Sequence, residues 1–168
     1  MFPGGSTESM AQSGAAQALP TQTRDPHNWK HYRYDADGFA AEFPSEPKTA
    51  MNDDKTGTRY FSSLNNGNLA YFVEVAVLPS DLNKTSQQVF DDYAAGAAKG
   101  TNTQLKSSNA ITLRGNPGRE FTLENDKMVL RVRLYLVQKR LYQVLVVVTK
   151  DIMDAAETDH FQRGFELL

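Results

Sequence analysis

The chain contains no cysteine. Disulfides, thiolate metal sites and a cysteine nucleophile are therefore excluded, while the compartment stays open, because cysteine-free proteins occur in all of them. Long apolar runs are missing too. The longest unbroken aliphatic stretch is Val144 to Val148, far short of the roughly 20 residues that span a bilayer as a helix, so no transmembrane span is expected. A surplus of positive charge is also absent. With 18 Lys and Arg against 20 Asp and Glu, and a net charge of -2, the chain has no broad field for phosphates, and no nucleic-acid partner is expected. Histidine is scarce, at His27, His31 and His160. Without a Gly-x-Ser-x-Gly elbow, nucleophilic catalysis has little material to work with. No long internal repeat is visible either, which removes solenoids and propellers.

What remains divides at about residue 28. Residues 1–27 hold one Phe and one Leu (Phe2 and Leu19), no Val, Ile, Tyr or Trp, and many Gly, Ser, Thr and Gln. Such a segment cannot bury enough apolar surface to offset a conformational cost of about 1–2 kcal/mol per residue. It is expected to be a disordered tail or linker, with one domain over residues 28–168. Ala16-Gln17-Ala18 resembles a signal-peptidase site, but no basic start and apolar stretch precede it. The two readings are a clipped exported precursor and a linker that followed a lipid-anchored or membrane-bound end.

Alternation then predicts strands. Phe39, Ala41 and Phe43 face one way, with Pro44 and Pro47 ending the strand. Thr58 to Ser62 and Tyr71 to Leu78 follow, separated by the turn chemistry of Asn65-Asn66-Gly67-Asn68. Thr85 and Gln88 form a capping box, and Val89, Phe90, Tyr93, Ala94, Ala97 and Ala98 make a helical stripe that Gly100 is placed to end. Ile111 to Leu113 leads into a bend over Gly115-Asn116-Pro117-Gly118. Strands at Arg119–Glu124, Val129–Val137 and Leu141–Val148 come next.

Asn125-Asp126 as a two-residue hairpin turn would set Glu120 opposite Arg131 and Phe121 opposite Leu130. Gln138-Lys139 would put Tyr135 opposite Tyr142, although neither turn residue favours φ > 0, which leaves a longer turn open. One face then carries Phe121, Leu123, Leu130, Val132, Leu134, Leu136, Leu141, Leu145 and Val147 as core. The other carries Glu120, Thr122, Arg131, Arg133, Tyr135, Tyr142, Val144 and Val146, a mixed set expected where cover is partial. A helix near Ile152–Gln162 follows, stopped at Gly164, and Phe165 to Leu168 is a short strand or apolar anchor.

Several of these pieces match a known pattern. Tyr34 with Asp37-Gly38-Phe39 and Phe43-Pro44 resembles the opening strand of the PsbP/Mog1-like superfamily. Gly115 to Phe121, Arg131 to Val137, Arg140 to Val144 and the Phe161 to Leu167 ending resemble its bacterial members. The resemblance spans Trp29 to Leu168. It implies an α+β fold, an α/β/α sandwich around a mainly antiparallel β-sheet. The order of three strands, helix, three strands, helix, read from alternation, agrees with it. The family is largely non-enzymatic. Its members include extrinsic photosystem subunits, a binder of a nuclear-transport GTPase, exported or lipid-anchored bacterial proteins, and proteins resembling chaperones for secreted effectors. Bacterial relatives often carry Gly-Asn at the last hairpin, where Gln138-Lys139 stands here.

For chemistry, His27 and His31 have the four-residue spacing of helical metal ligands, with Asp25 or Asp35 as an oxygen donor. Pro26 and the lack of a third ligand speak for two solvated histidines instead, and no metal or cofactor is assigned. His160 beside Asp159 reads as a helix-surface residue. Asp53-Asp54 and Asp91-Asp92 both read as solvated pairs, whereas general acid–base work needs a desolvated carboxyl group. The aromatic group of Trp29, Tyr32 and Tyr34 is read as stapling the start of the domain.

The partner-binding expectation falls on Arg131, Arg133, Tyr135 and Tyr142, since arginine and tyrosine are favoured in interfaces. The competing reading pairs Glu120 with an arginine and puts the tyrosines beneath a helix. The function expected is a non-catalytic binding or assembly domain for a protein partner. Its location would be the periplasm or cell envelope, with membrane association only through an anchor outside this chain and the cytoplasm left open. The alternatives are a chaperone sheltering an apolar segment, a photosystem II extrinsic subunit, and a metal-dependent hydrolase.

Overall fold

The computed structural model describes residues 28–52 and 55–168. The readings of the tail, of Asp25 and His27, and of Asp53-Asp54 lie outside the described residues. Within them the chain forms ten strands and two α-helices. Strands β1 (Lys30–Tyr34), β2 (Phe39–Phe43) and β10 (Glu166–Leu167) make a small sheet in the order β1-β2-β10. The main sheet has seven strands in the order β3-β4-β5-β9-β8-β7-β6, and every pairing is antiparallel. Its members are β3 (Lys48–Met51), β4 (Gly57–Leu64), β5 (Leu69–Val77), β6 (Gln104–Leu113), β7 (Asn116–Glu124), β8 (Met128–Val137) and β9 (Arg140–Thr149).

Helix α1 (Ser86–Thr101) connects the two halves of this sheet. The capping box forms as expected: the Gln88 N–H donates to Thr85 Oγ1 at 3.2 Å and the Thr85 N–H to Gln88 Oε1 at 2.9 Å. The end of the helix differs from expectation. Gly100 remains helical, and Asn102 takes the left-handed conformation at φ 52, its N–H reaching the carbonyls of Ala98 and Lys99. Asparagine tolerates that region, and Asn125 Nδ2 donates to the Asn102 carbonyl at 3.1 Å, which fixes the cap from a neighbouring hairpin. Helix α2 (Ala155–Arg163) is capped by Asp154, whose carboxylate accepts from the N–H groups of Ala156 and Glu157.

Turns set the registers; two of them revise the sequence reading and a third bears it out. Arg114 and Gly115, at φ 49 and 76, make the β6–β7 turn, so Asn116, Pro117 and Gly118 belong to β7 rather than to a bend. The β7–β8 connection is longer than Asn125-Asp126. The Asn125 carboxamide accepts from the N–H groups of Lys127 and Met128, at 2.9 and 3.0 Å, and Glu124 pairs with Val129. Glu120 therefore lies opposite Arg133, and Phe121 opposite Val132. This is a shift of two, which leaves every side chain on its expected face. At Gln138-Lys139 the turn is two residues after all, with Gln138 held at φ 56, and Tyr135 does face Tyr142.

Both faces of the main sheet are core. Beneath α1 lie Val89, Phe90 and Ala94 against Phe121, Leu123, Leu130, Val132, Leu134 and Leu141. The opposite face, expected to be mixed, holds a second core. Tyr71, Val73, Tyr142, Val144 and Val146 pack there against Phe39 and Phe43 of the small sheet and Phe161 of α2. Burying a large side chain fully is worth about 1.5–3 kcal/mol, so this second layer explains why β9 runs apolar on both sides. The aromatic cluster forms part of its wall: Trp29 meets Tyr71 edge-on at 5.3 Å, Tyr32 meets Phe43 at 6.1 Å, and Tyr34 lies 4.1 Å from Tyr60.

Gly118 is the tightest point of the β7–β8 ladder. A Cβ there would lie 2.5 Å from the Leu134 carbonyl oxygen and 2.7 Å from Tyr135 Cδ1, so backbone or ring must move. Gly118→Ala is expected to cost about 1–3 kcal/mol, read as a lower urea midpoint with an unchanged m-value.

Candidate functional site

Arg131, Arg133 and Tyr135 alternate along β8, and Tyr142 faces Tyr135 from β9. The structure brings all four to the face covered by α2 and the small sheet, then splits them into two pairs. The tyrosines are buried. The Phe165 ring stacks parallel to Tyr135 at 5.7 Å and leans on Tyr142 at 5.8 Å. The Tyr142 hydroxyl donates to the Asp37 carbonyl at 2.6 Å, and the Tyr60 hydroxyl donates to the Asp37 carboxylate. Gly38, at φ 72, completes this β1–β2 turn. Tyr142 therefore clamps a turn of the fold. Burial raises the Tyr135 hydroxyl pKa above its ordinary value, while Arg133, which hydrogen-bonds it, pulls the other way.

The arginines lie farther out along the same face. Arg133 Nε donates to Glu120 Oε2 at 2.6 Å, and an Arg131 guanidinium nitrogen lies 3.7 Å from Asp159 on α2. Thr122 faces Arg131 across the β7–β8 ladder, and Ser107 and Asn109 continue the two rows onto exposed β6. Lys150 pairs with Glu124 at 3.7 Å. These side chains form a polar strip of mixed charge, most exposed at β6. The Arg133 and Glu120 side chains are largely covered, and Arg131 Nε is buried without a hydrogen-bond partner, so the accessible part of the strip lies toward β6.

The histidine of the metal reading that is described falls on a strand. His31 lies in β1, a strand, with its imidazole 3.9 Å from Glu166, and its partner in the metal reading is outside the described residues. His160 Nε2 lies 2.6 Å from Glu42 Oε2, which accepts its N–H, and the ring stacks on Trp29 at 4.5 Å, joining α2 to β2. They border a cleft of about 600 Å³ with Asp159, Arg163 and Glu166. Among the described residues, no three His, Cys, Asp or Glu side chains converge in a group that could hold a metal.

A second concavity escaped the sequence reading. A trench of about 730 Å³ runs between α1 and the adjoining face of β4, β5 and β9. Its floor is a row of three residues directly opposite one another: Arg59, Glu74 and Gln143. Arg59 Nε donates to Glu74 Oε2 at 3.0 Å. Tyr93 of α1 joins them, its hydroxyl pKa pushed up by burial and by the Glu74 charge, against the pull of Arg59. Ala76, Leu78, Pro79, Ala97 and Leu141 supply apolar walls. The signal in the sequence was Gln143, the one polar residue among Leu141, Leu145 and Val147 on an otherwise apolar face.

With this geometry established, comparison places the fold. The solution structure of cyanobacterial PsbP (CyanoP) from Synechocystis sp. PCC 6803 superposes with a TM-score of 0.64 at 12% identity, covering 83% of this chain and 92% of that one. The fold is PsbP-like. PA94 of Pseudomonas aeruginosa, a protein of unknown function, also matches, with a TM-score of 0.42 at 12% identity over 82% of this chain and 93% of its own. No family model and no curated protein matches the sequence. The expected α+β class and PsbP/Mog1-like likeness therefore stand at the level of fold, and a fold of this kind does not carry function with it. No described helix is long and apolar enough to cross a membrane.

If Tyr142 is a clamp, its hydroxyl matters to stability. Tyr142→Phe leaves the Asp37 carbonyl without that donor and is expected to cost about 1 kcal/mol. Differential scanning calorimetry should show this as a fall of about 2–4 °C in Tm.

Proposed function

We propose that the chain is a non-catalytic binding domain that docks a protein partner on the polar strip of its main sheet. The observation that carries this reading is the arrangement of Arg131 and Arg133 beside Glu120, Thr122, Ser107 and Asn109. It is a mixed-charge row that runs from two largely covered arginines onto the exposed edge strand β6. Arginine presents a planar fork of donors to carboxylates and backbone carbonyls, and it is enriched in protein interfaces. Tyr135 and Tyr142 support the site from below, holding β8 and β9 in place while the arginines make contact. Location in the periplasm or cell envelope belongs to the same reading and rests on the PsbP-like fold.

The test uses the full chain, immobilised in its native host's envelope extract. The wild type is expected to retain a partner that Arg131→Gln/Arg133→Gln loses by at least about tenfold, or about 1.4 kcal/mol of binding free energy. Ser107→Arg, at an exposed position beside the arginines, should block the same partner with Tm unchanged. Retention of that partner by both variants would dismiss the surface. Mutating the tyrosines would not serve, because their loss acts on stability first.

A further inference from the structure

Arg33, Arg59, Arg119, Arg131 and Arg133 each lie against a carboxylate. Arg114 and Arg140 face none among the described residues, and both line one cleft of about 280 Å³. The cleft sits where the β1–β2 turn at Gly38, the β6–β7 turn at Arg114 and the β8–β9 turn at Gln138 meet the chain at Leu167 and Leu168. Arg140 folds over the first of these turns, its Nη1 3.4 Å from the point where Gly38 would carry a Cβ. The carboxylates of that turn are taken, Asp35 by Arg33 and Asp37 by the Tyr60 hydroxyl. Lys139 adds a cation beside them and reaches only the Ser80 carbonyl. No Asp or Glu side chain lines the cleft.

The backbone around the cleft is a second, separate observation. Arg114 at φ 49 and Gln138 at φ 56 occupy the left-handed region, which Gly, Asn and Asp fill at least cost in two-residue hairpin turns. Both turns thus hold strain that an asparagine or glycine would relieve, and the two long polar side chains so placed line the same cleft. Asn116 steadies the Arg114 turn, its Nδ2 donating to the Leu113 and Arg114 carbonyls at 3.1 and 3.3 Å. Cations gathered without a counter-charge repel one another, and a bound anion reverses that penalty. A guanidinium fork matches the two oxygens of a carboxylate. Beside the guanidinium groups, Val137, Leu167 and Leu168 supply an apolar flank.

We propose that this cleft binds a carboxylate carried on a short aliphatic body, supplied either by a free acid or by the C-terminus of a peptide that ends in a leucine-like residue. Arg114 and Arg140 hold the carboxylate, and Val137, Leu167 and Leu168 take the hydrocarbon. The cleft lies at the hairpin end of β8, beyond Tyr135, and the proposal does not rest on the partner surface.

The experiment titrates the isotope-labelled full chain at low salt, where charge pairing is least screened, and follows proton–nitrogen correlation spectra. The probes are isovalerate, isovaleramide, inorganic phosphate and acetyl-Ala-Leu with a free C-terminus. Isovalerate is expected to give saturable shifts at the Arg114 and Arg140 side-chain N–H groups and at the backbone amides of Gly38, Gly115 and Gln138, with a Kd below about 30 mM for a fragment of this size. The neutral isovaleramide should bind at least about tenfold more weakly, and phosphate, which has no hydrocarbon, should also bind more weakly than the acid. Tighter binding of the dipeptide identifies a peptide C-terminus as the source of the carboxylate, and equal or weaker binding identifies a free acid. Arg114→Asn removes a guanidinium but keeps a residue suited to φ > 0. It should weaken isovalerate binding about tenfold with Tm unchanged or higher, a combination that a merely structural Arg114 would not give. Arg140→Gln should weaken binding to a similar degree. The proposal is overturned by an absence of saturable shifts with both acids, by shifts confined to other parts of the molecule, or by isovaleramide or phosphate binding as well as isovalerate. Unaltered isovalerate binding in either variant overturns it as well.

Discussion

The ladder between β5 and β9 is the interaction on which the rest of the molecule depends. It pairs Leu69–Val77 with Val148–Arg140 over nine positions and is the sole seam between two locally built meanders, β3-β4-β5 and β6-β7-β8-β9. Each meander can form from neighbours in sequence. The seam cannot, because α1 and three strands intervene between its two sides. Its side chains are accordingly the most apolar of the sheet, with Tyr71, Val73, Val144 and Val146 almost wholly removed from water.

Around that seam the covering elements are offset. Helix α1 packs on one face over β7, β8 and β9, while α2 and the small sheet pack on the other over β4, β5, β9 and part of β8. Only the middle of the sheet is therefore enclosed on both sides. Each wing has one covered and one open face, and the two open faces look in opposite directions. The arginine strip occupies one, toward β6. The trench floored by Arg59, Glu74 and Gln143 opens where α1 stops short of the other. A PsbP-like fold of this build presents two separate concave or flat surfaces without any insertion to create them.

Much of this was legible in the chain because it rests on local physics. Period-two alternation in Tyr71–Val77, Val129–Val137 and Leu141–Val148, the Thr85/Gln88 capping box, and Gly38 all acted within a few residues of themselves. Strand β1 also went unread, and the two unread edge strands of the main sheet share one property. Lys48–Met51 is exposed throughout, and Gln104–Ala110 is polar on both faces, so neither shows the alternation that burial on one side imposes. Edge strands are shaped by what they pair with, and that is not written in their own periodicity.

The candidate site was half legible for a related reason. Parity put Arg131, Arg133, Tyr135 and Tyr142 on one face correctly. It could not say what covers the face, since the cover comes from Phe165 and the Asp35–Gly38 turn, more than a hundred residues apart in sequence. Gln143 was visible as a polar residue in an apolar row. Its neighbours Glu74 and Arg59 became neighbours only once β4, β5 and β9 were set side by side.

The small sheet has one further consequence. Strand β2 is flanked by β1 on one edge and β10 on the other, and the Leu168 N–H reaches the Gly38 carbonyl at 3.0 Å. The two extremities of the described chain are thereby knotted at one strand, and everything between them is a closed loop. The entropy of such a closure grows only logarithmically, by about 0.6 kcal/mol for each doubling of the enclosed length. Lengthening a solvent-facing connector, such as that between Val77 and Ser86, would hardly loosen the tie. The architecture can grow at its connectors while keeping its ends fastened.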